Sequence, residues 1–592
     1  MLDADHPGFH GAAHAFVAVS VRGHIYTEVA GGFYDAHQFV LGIVRQAAVA
    51  CQGKHAAGSA DFDAIGAAFY LGAHGGAAGI GPVGNAVFGA GRRIEQIVTG
   101  AGGGIAADVL SDTGLKVVMI EEGMLRSSTD LRMLESEAYP TLYQESASRK
   151  TADKAINILQ GRTVGGSTTV NWTTSFRTPS ATLKFWRERY GLTELTDEHM
   201  AGWFKLAEQL LSISDWTAPA NENNSVLERG GQKIGVKVER IRRNVKGCYN
   251  LGYCGMGCPT NAKQSMLTTT IPAALSRGAV LVSRARADRL VWQGSRVSAL
   301  ECTAMRGSGY DEGSARVRVT AKHFVVAGGA INSPALLLRS KMPDPHGRLG
   351  RRTFLHPSLI CGADMGSKVE GWSGAPQTMY SDHYLGTQPV DGAMGFKLEA
   401  APVHPVLYAI SVNGMAEHHR ARITNMTNTQ VMIALCRDGF HPDSEGGTVK
   451  LLGDGFPQLD YGLNRYFFDA AKRAFLAMAE IQFAAGAREV FPVDERINGY
   501  RSWAEAKTGL EALDLRPLST RVASAHVMGG CAMAASEKDG VVNGYGRHHQ
   551  IENLSVMDGS VFPTSIGANP QLSIYGLTWR NAARLAGDMR RG

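Results

Sequence analysis

Ile97-Val98-Thr99-Gly100-Ala101-Gly102-Gly103-Gly104-Ile105-Ala106-Ala107-Asp108-Val109-Leu110, followed after Gly114 by Val117-Val118-Met119-Ile120-Glu121, is the stretch that decides the fold. An apolar pair, a glycine turn, a run with helical spacing and a continuous apolar run read as strand, turn, helix, strand: one βαβ unit of a parallel sheet. Glycines at the helix start leave backbone N–H groups bare, and together with the helix dipole they suit a pyrophosphate. Glu121 lies 21 residues after Gly100. It ends the second strand, where a carboxylate can accept from a ribose hydroxyl. Counting back from Gly103 and Gly100, the first glycine of a G-x-G-x-x-G turn falls at residue 98, which is valine.

Upstream the text changes character. Residues 1–94 hold 17 Gly and 21 Ala and 7 of the 19 His, without clear periodicity or caps, so weak or irregular structure is expected there. Downstream, Ala279-Val280-Leu281-Val282, the alternating segment 289–300 and Phe324-Val325-Val326-Ala327 read as further sheet, and 467–483 as an amphipathic helix. The whole chain of 592 residues is too long for one core, so two or more domains are expected. Its 44% hydrophobic and 19% charged residues exclude a largely disordered chain and a coiled coil. Sixty basic against 54 acidic residues give +6, too dilute a charge for nucleic acid. No window reaches 18 uncharged apolar residues, and the start Met1-Leu2-Asp3-Ala4-Asp5-His6 is acidic, so a soluble cytoplasmic protein without a membrane span is expected. Eight cysteines in this length are no disulfide framework.

Four further segments are more specific: Gly161-Arg162-Thr163-Val164-Gly165-Gly166-Ser167-Thr168-Thr169-Val170-Asn171, Gly329-Ala330-Ile331-Asn332-Ser333-Pro334-Ala335-Leu336-Leu337, Ser524-Ala525-His526-Val527-Met528-Gly529-Gly530-Cys531, and Val556-Met557-Asp558-Gly559-Ser560 with Gly567-Ala568-Asn569-Pro570-Gln571. Together, from about Thr99 onward, they resemble the glucose-methanol-choline (GMC) family of FAD-dependent oxidoreductases, in the branch with alcohol dehydrogenases and long-chain alcohol oxidases. The resemblance implies an α/β fold: a Rossmann-like FAD-binding domain assembled from discontinuous segments, and a substrate domain with an antiparallel sheet. The expected division is 1–94 atypical, 95–344 FAD-binding with an inserted cysteine loop, 345–510 substrate-binding, and 511–592 the C-terminal FAD segment. The chain departs from the family at Val98, and at Lys341, where the second signature usually ends in glycine.

The same resemblance implies the site. Gly100, Gly102 and Gly103 match the pyrophosphate turn, Glu121 the ribose carboxylate, and Ala287 the backbone beside adenine. Gly165, Gly166 and Asn171 match the loop beside the flavin ring, and Asp558 and Gly559 the approach to phosphate and ribityl chain. His526 matches the catalytic histidine. Oxidising an alcohol needs a group to take the hydroxyl proton, and imidazole titrates near neutrality. Asn569 matches the second catalytic position, which holds the substrate oxygen; capping a helix that begins at Pro570 is another reading of it. That helix start, with Gln571, would aim its dipole at the reduced flavin.

Cys248, Cys254 and Cys258 are spaced so that they could hold a metal or an iron-sulfur cluster, with structural thiols or a disulfide as the plainer reading; no metal ligand is assigned. The reading reached is an FAD-dependent oxidation of an alcohol, passing electrons to oxygen, a quinone or a redox protein. An NAD-dependent dehydrogenase and an inactive relative with impaired FAD binding stay open beside it.

Overall fold

The computed structural model describes residues 99–307, 310–412 and 417–591, together with the backbone of the short strands Ala18–Val19, Ile25–Tyr26, Ala86–Phe88 and Ile94–Ile97. Two units divide the chain, Met1–Ala86 and Val87–Gly592. In the first, Ala18–Val19 pairs antiparallel with Ile25–Tyr26. Most of 1–94, where weak structure is expected, and Val98 lie outside the described residues.

In the second unit five strands, all paired in parallel, run in the order Val280–Ser283, Lys116–Glu121, Ile94–Ile97, His323–Val326, Leu554–Val556. Numbered along the chain this is 3-2-1-4-5, the doubly wound order whose ligand crevice opens where the winding reverses, beside Ile94–Ile97. Lys116–Glu121 is buried from Val117 onward and His323–Val326 throughout, as strands covered on both faces must be. Helix Ala101–Asp112 packs against helix Gln571–Arg591, and its small first turn permits a very close approach. A Cβ on Gly102 would stand 1.7 Å from the Met557 carbonyl oxygen.

From Val280–Ser283 the chain passes into the antiparallel meander Ala285–Gln293, Arg296–Arg306, Asp311–Val319. The alternating segment read over 289–300 is therefore two strands, divided by a turn at Gly294, whose φ of +59° suits glycine.

A second large sheet is mostly antiparallel, in the order Ile156–Ile158, Val522–Ser524, Ser358–Asp364, Thr429–Cys436, Phe396–Ala400, Met379–Ser381, Glu239–Arg240, with Glu489–Pro492 also paired to Ser358–Asp364. Helix Arg465–Ala484 lies on it and buries Phe467, Ala470, Ala471, Ala474, Phe475, Met478 and Ile481, a stripe at helical spacing. Its start is capped by Asn464, whose Oδ1 accepts from Phe467 N–H at 3.2 Å. The architecture is the expected one: a discontinuous α/β unit with parallel sheet beside an antiparallel sheet.

Lys341 takes φ +51° just beyond helix Gly329–Arg339. That left-handed conformation explains why glycine would sit better there. Lys341→Gly is expected to raise stability by about 1 kcal/mol, read from thermal denaturation.

Candidate active site

A cavity of about 630 Å³ is lined by Gly100, Ala101 and Gly102 at the helix start, by Glu121, and by Ala287 of the meander. Gly100 caps the helix with no side-chain bond, and Gly104 N–H, donating to the Gly100 carbonyl at 2.7 Å, closes the first turn. The N–H groups before it have no partner within the helix. A Cβ on Gly100 would come no nearer than 3.8 Å to Ala327 O. Gly103 is buried inside the helix and does not line the cavity.

Glu121 is buried. It accepts from the Thr99 hydroxyl and, at 2.9 Å, from Gly123 N–H. Burial outweighs these donors and pushes its carboxyl up to about 7. A ribose hydroxyl donating to the ionised form binds best above that pH, so cofactor affinity is expected to fall as pH drops below about 7. Glu121→Gln should remove this pH dependence and weaken binding by about 10- to 100-fold, the worth of a hydrogen bond to a charged group. Titration of the apoprotein with FAD at several pH values checks it.

The remaining expected cradle residues come together from distant segments. Gly166, at φ +53°, packs so tightly that a Cβ would lie 2.8 Å from Gly100 Cα. Gly165 stands behind it, outside the cavity lining, its N–H donating to Thr99 Oγ1 at 3.2 Å. Asp558 accepts from Gly329 N–H at 2.8 Å, Ser333 Oγ–H at 2.5 Å and Ser560 N–H at 2.7 Å, so its carboxylate binds loops together while Asp558 and Gly559 face the cavity. Asn171 Nδ2 donates to Gln571 Oε1 at 2.7 Å, and Gln571 Nε2 donates to Thr174 O at 2.7 Å. The polar ends of this pair are thus committed to fixing each other beside the cavity.

His526 and Asn569 meet in the same cavity, with His526 Nε2 3.3 Å from Asn569 Nδ2. Enclosure by protein, and then the charge of Lys397, hold His526 down at about 4, so the ring is neutral near pH 7. Its Nδ1 lies 3.3 Å from His356 Nδ1, and His356 Nε2 accepts from Gly567 N–H at 3.0 Å. Helix Gln571–Arg591 begins after Pro570, and Asn569 Oδ1 is buried with no partner. The capping reading of Asn569 therefore fails: its side chain turns to His526 and to Glu399.

Models of one family match this chain twice, as GMC oxidoreductase over residues 139–358 and again over 442–578. The chain belongs to the GMC oxidoreductases. Among its relatives are an uncharacterized GMC-type oxidoreductase of Sinorhizobium fredii, 28% identical over 82% of this chain and 93% of the relative, and a long-chain-alcohol oxidase of Arabidopsis thaliana, 26% identical over 83% of this chain and 66% of the relative. The solved structure of a formate oxidase from Aspergillus oryzae superposes with a TM-score of 0.62 at 14% identity, covering 84% of this chain and 98% of that one. This GMC oxidoreductase is an enzyme with FAD as its cofactor, which sets the nicotinamide reading aside. The residues would fit that group: an open helix start with no side chain larger than the Ala101 methyl, a buried carboxylate able to accept from a ribose, and one cavity joining both to His526.

In this oxidoreductase Cys248, Cys254 and Cys258 are unpaired and half-buried. Arg243 donates to Cys254 Sγ at 3.6 Å. Buried Lys263 Nζ donates to the carbonyls of Thr169, Asn171 and Cys254 at 2.8, 2.7 and 2.6 Å, so the cysteine loop braces the Thr169–Asn171 turn beside the cavity. Among the described residues no group of three His, Cys, Asp or Glu side chains is arranged to hold a metal ion.

His356, Lys397 and Glu399 escaped the sequence reading. The signal lay in Phe396-Lys397-Leu398-Glu399-Ala400, where two charges alternate with apolar residues, and all five are buried. Lys397 pairs with Asp382 and sits 3.9 Å from the Phe176 ring centroid and 4.2 Å from that of Tyr380. Alternation suggests a polar face open to water; here that face is turned to the site.

Proposed function

We propose that this enzyme oxidises the CH–OH group of an alcohol to a carbonyl, with His526 taking the hydroxyl proton and Asn569 holding the substrate oxygen. The observation that carries the reading is the meeting of His526 and Asn569 at one point of the cofactor cavity. FAD, when bound in the cradle, supplies the hydride acceptor. Low basicity keeps the His526 ring neutral and able to accept at neutral pH. The cavity lining also includes the apolar Trp172, Ile360, Val431, Ile433 and Leu435, alongside polar groups such as Ser358, Gln377 and Gln571. These apolar residues favour a hydrophobic alcohol, in keeping with the long-chain-alcohol oxidase relative.

Anaerobic mixing of the holoenzyme with a panel of alcohols, followed by admission of oxygen, tests the reading. Bleaching of the flavin absorbance by apolar primary alcohols, and weakly or not at all by polyols, is the expected result. Failure of every alcohol would overturn it. Recovery of the colour on admitting oxygen, or only on adding a quinone, identifies the electron acceptor.

A further inference from the structure

Four groups in contact, His356, His526, Asn569 and Glu399, admit few placements of their protons. Gly567 N–H donates to His356 Nε2, so the neutral ring carries its own proton on Nδ1. That proton points at His526 Nδ1, which accepts it, and the neutral His526 ring then carries its proton on Nε2. Next to Nε2 stands the Asn569 amide, whose other neighbour is Glu399 Oε2 at 3.4 Å. An amide NH₂ in that place sets donor against donor at Nε2, while the amide oxygen is left buried and unpartnered. The hydrogen-bond inventory decides the orientation of such an amide. Turned over, its oxygen accepts from His526 Nε2–H; it then also faces Glu399 Oε2, and that contact is a hydrogen bond only when Glu399 is protonated.

Ionising Glu399 reverses the sequence. The carboxylate requires a donor, the amide turns its NH₂ toward it, and the conflict returns at His526 Nε2. It is relieved when the His526 proton moves to Nδ1, at the expense of the bond between Gly567 and His356. Nε2 is then bare and able to accept.

We infer that Glu399 is a positioning residue: acting through the Asn569 amide, its proton selects whether His526 offers Nε2 to the substrate oxygen as a donor or as an acceptor. This rests on the alcohol-oxidising reading above. Glu399 is fully buried on strand Phe396–Ala400, and its Oε1 has no partner. Gln377 Nε2 donates to Oε2 at 2.5 Å, Lys397 on the same strand favours the ionised form and Asp382 opposes it. Tyr380 is its cross-strand neighbour, and behind Asn569 stand His526 and His356, the latter within the field of Lys397 and Arg437. Burial dominates and brings the carboxyl up to about 7, so both forms are populated near neutrality.

The test uses the FAD-loaded full chain, wild type and Glu399→Gln, which keeps the side chain neutral. Anaerobic flavin reduction by an alcohol is expected to fall about tenfold per pH unit below 7 in the wild type. Glu399→Gln is expected to hold the slow, low-pH rate throughout, with unchanged FAD content and melting temperature. Independently of turnover, ¹⁵N-histidine spectra of the wild type should show the His526 Nε2 signal, assigned with His526→Asn, passing from the protonated to the bare type as pH rises through 7. An unshifted Nε2 signal across that range overturns the inference, as does a wild-type pH profile in Glu399→Gln. If no alcohol reduces the wild type, the functional reading fails, and the nitrogen spectra still decide the role of Glu399. The same spectra decide it if Glu399→Gln does not fold.

Discussion

Replacing His526 by alanine is expected to slow reduction of the bound flavin by alcohol by about 10²- to 10⁴-fold, the usual worth of a positioned base, while FAD content stays at the wild-type level. The two effects separate because of where the side chain stands. The proposed cradle comprises Gly100, Gly102, Glu121 and the loops at Gly166 and Asp558, whereas the His526 ring meets His356 and Asn569. Its backbone N–H donates to Ser524 Oγ at 3.1 Å, a bond that alanine keeps. Stopped-flow reduction and the flavin-to-protein absorbance ratio check both halves. An unchanged reduction rate would remove His526 from the role of base; a lost cofactor would show that its role is structural.

Gly102→Ala is expected to be the most damaging single methyl in the cradle. The new Cβ would stand 1.7 Å from Met557 O, 2.7 Å from Met557 C and 3.0 Å from Asp558 Cα, all backbone atoms of the segment that closes the site. Backbone cannot swing aside as a flexible side chain can, so helix Ala101–Asp112 must separate from the loop at Asp558. Overpacking of this kind costs about 3 kcal/mol or more, a large share of the stability of a typical domain. The variant should melt well below the wild type and purify without FAD. Gly100→Ala is the control: its Cβ has room in the protein, so the fold should stand while the cofactor binds more weakly. Equal melting of Gly102→Ala and wild type would contradict the packing described here.

The βαβ unit was legible because its strand and helix carry their burial in their spelling. Val117-Val118-Met119-Ile120 is buried in the sheet as its unbroken apolar run implies, and the glycines before Ile105 mark a helix start that must come close to something. What they approach was not legible: Gly102 is small for the sake of Met557, and Gly166 for the sake of Gly100, pairs far apart along the chain. His526 and Asn569 could be placed by resemblance to a family, and the structure brings them together. Glu399 and His356 could not be found that way, since a carboxyl in a buried strand announces itself only when the far side of its sheet is known. The capping alternative for Asn569 fails for the opposite reason: Asn before Pro is a good local cap, and here the side chain turns instead to His526 and Glu399.

The parallel sheet has one more consequence, for the order of events during synthesis. His323–Val326 receives its last neighbour, Leu554–Val556, only after more than two hundred further residues are made, and Asp558 ties Gly329 across a gap of 229 residues. A nascent chain therefore exposes a largely apolar strand edge for more than a third of its synthesis, the kind of surface that invites aggregation. Capture of the cofactor belongs to the end of translation, when the final segment folds back over a cradle begun at Gly100.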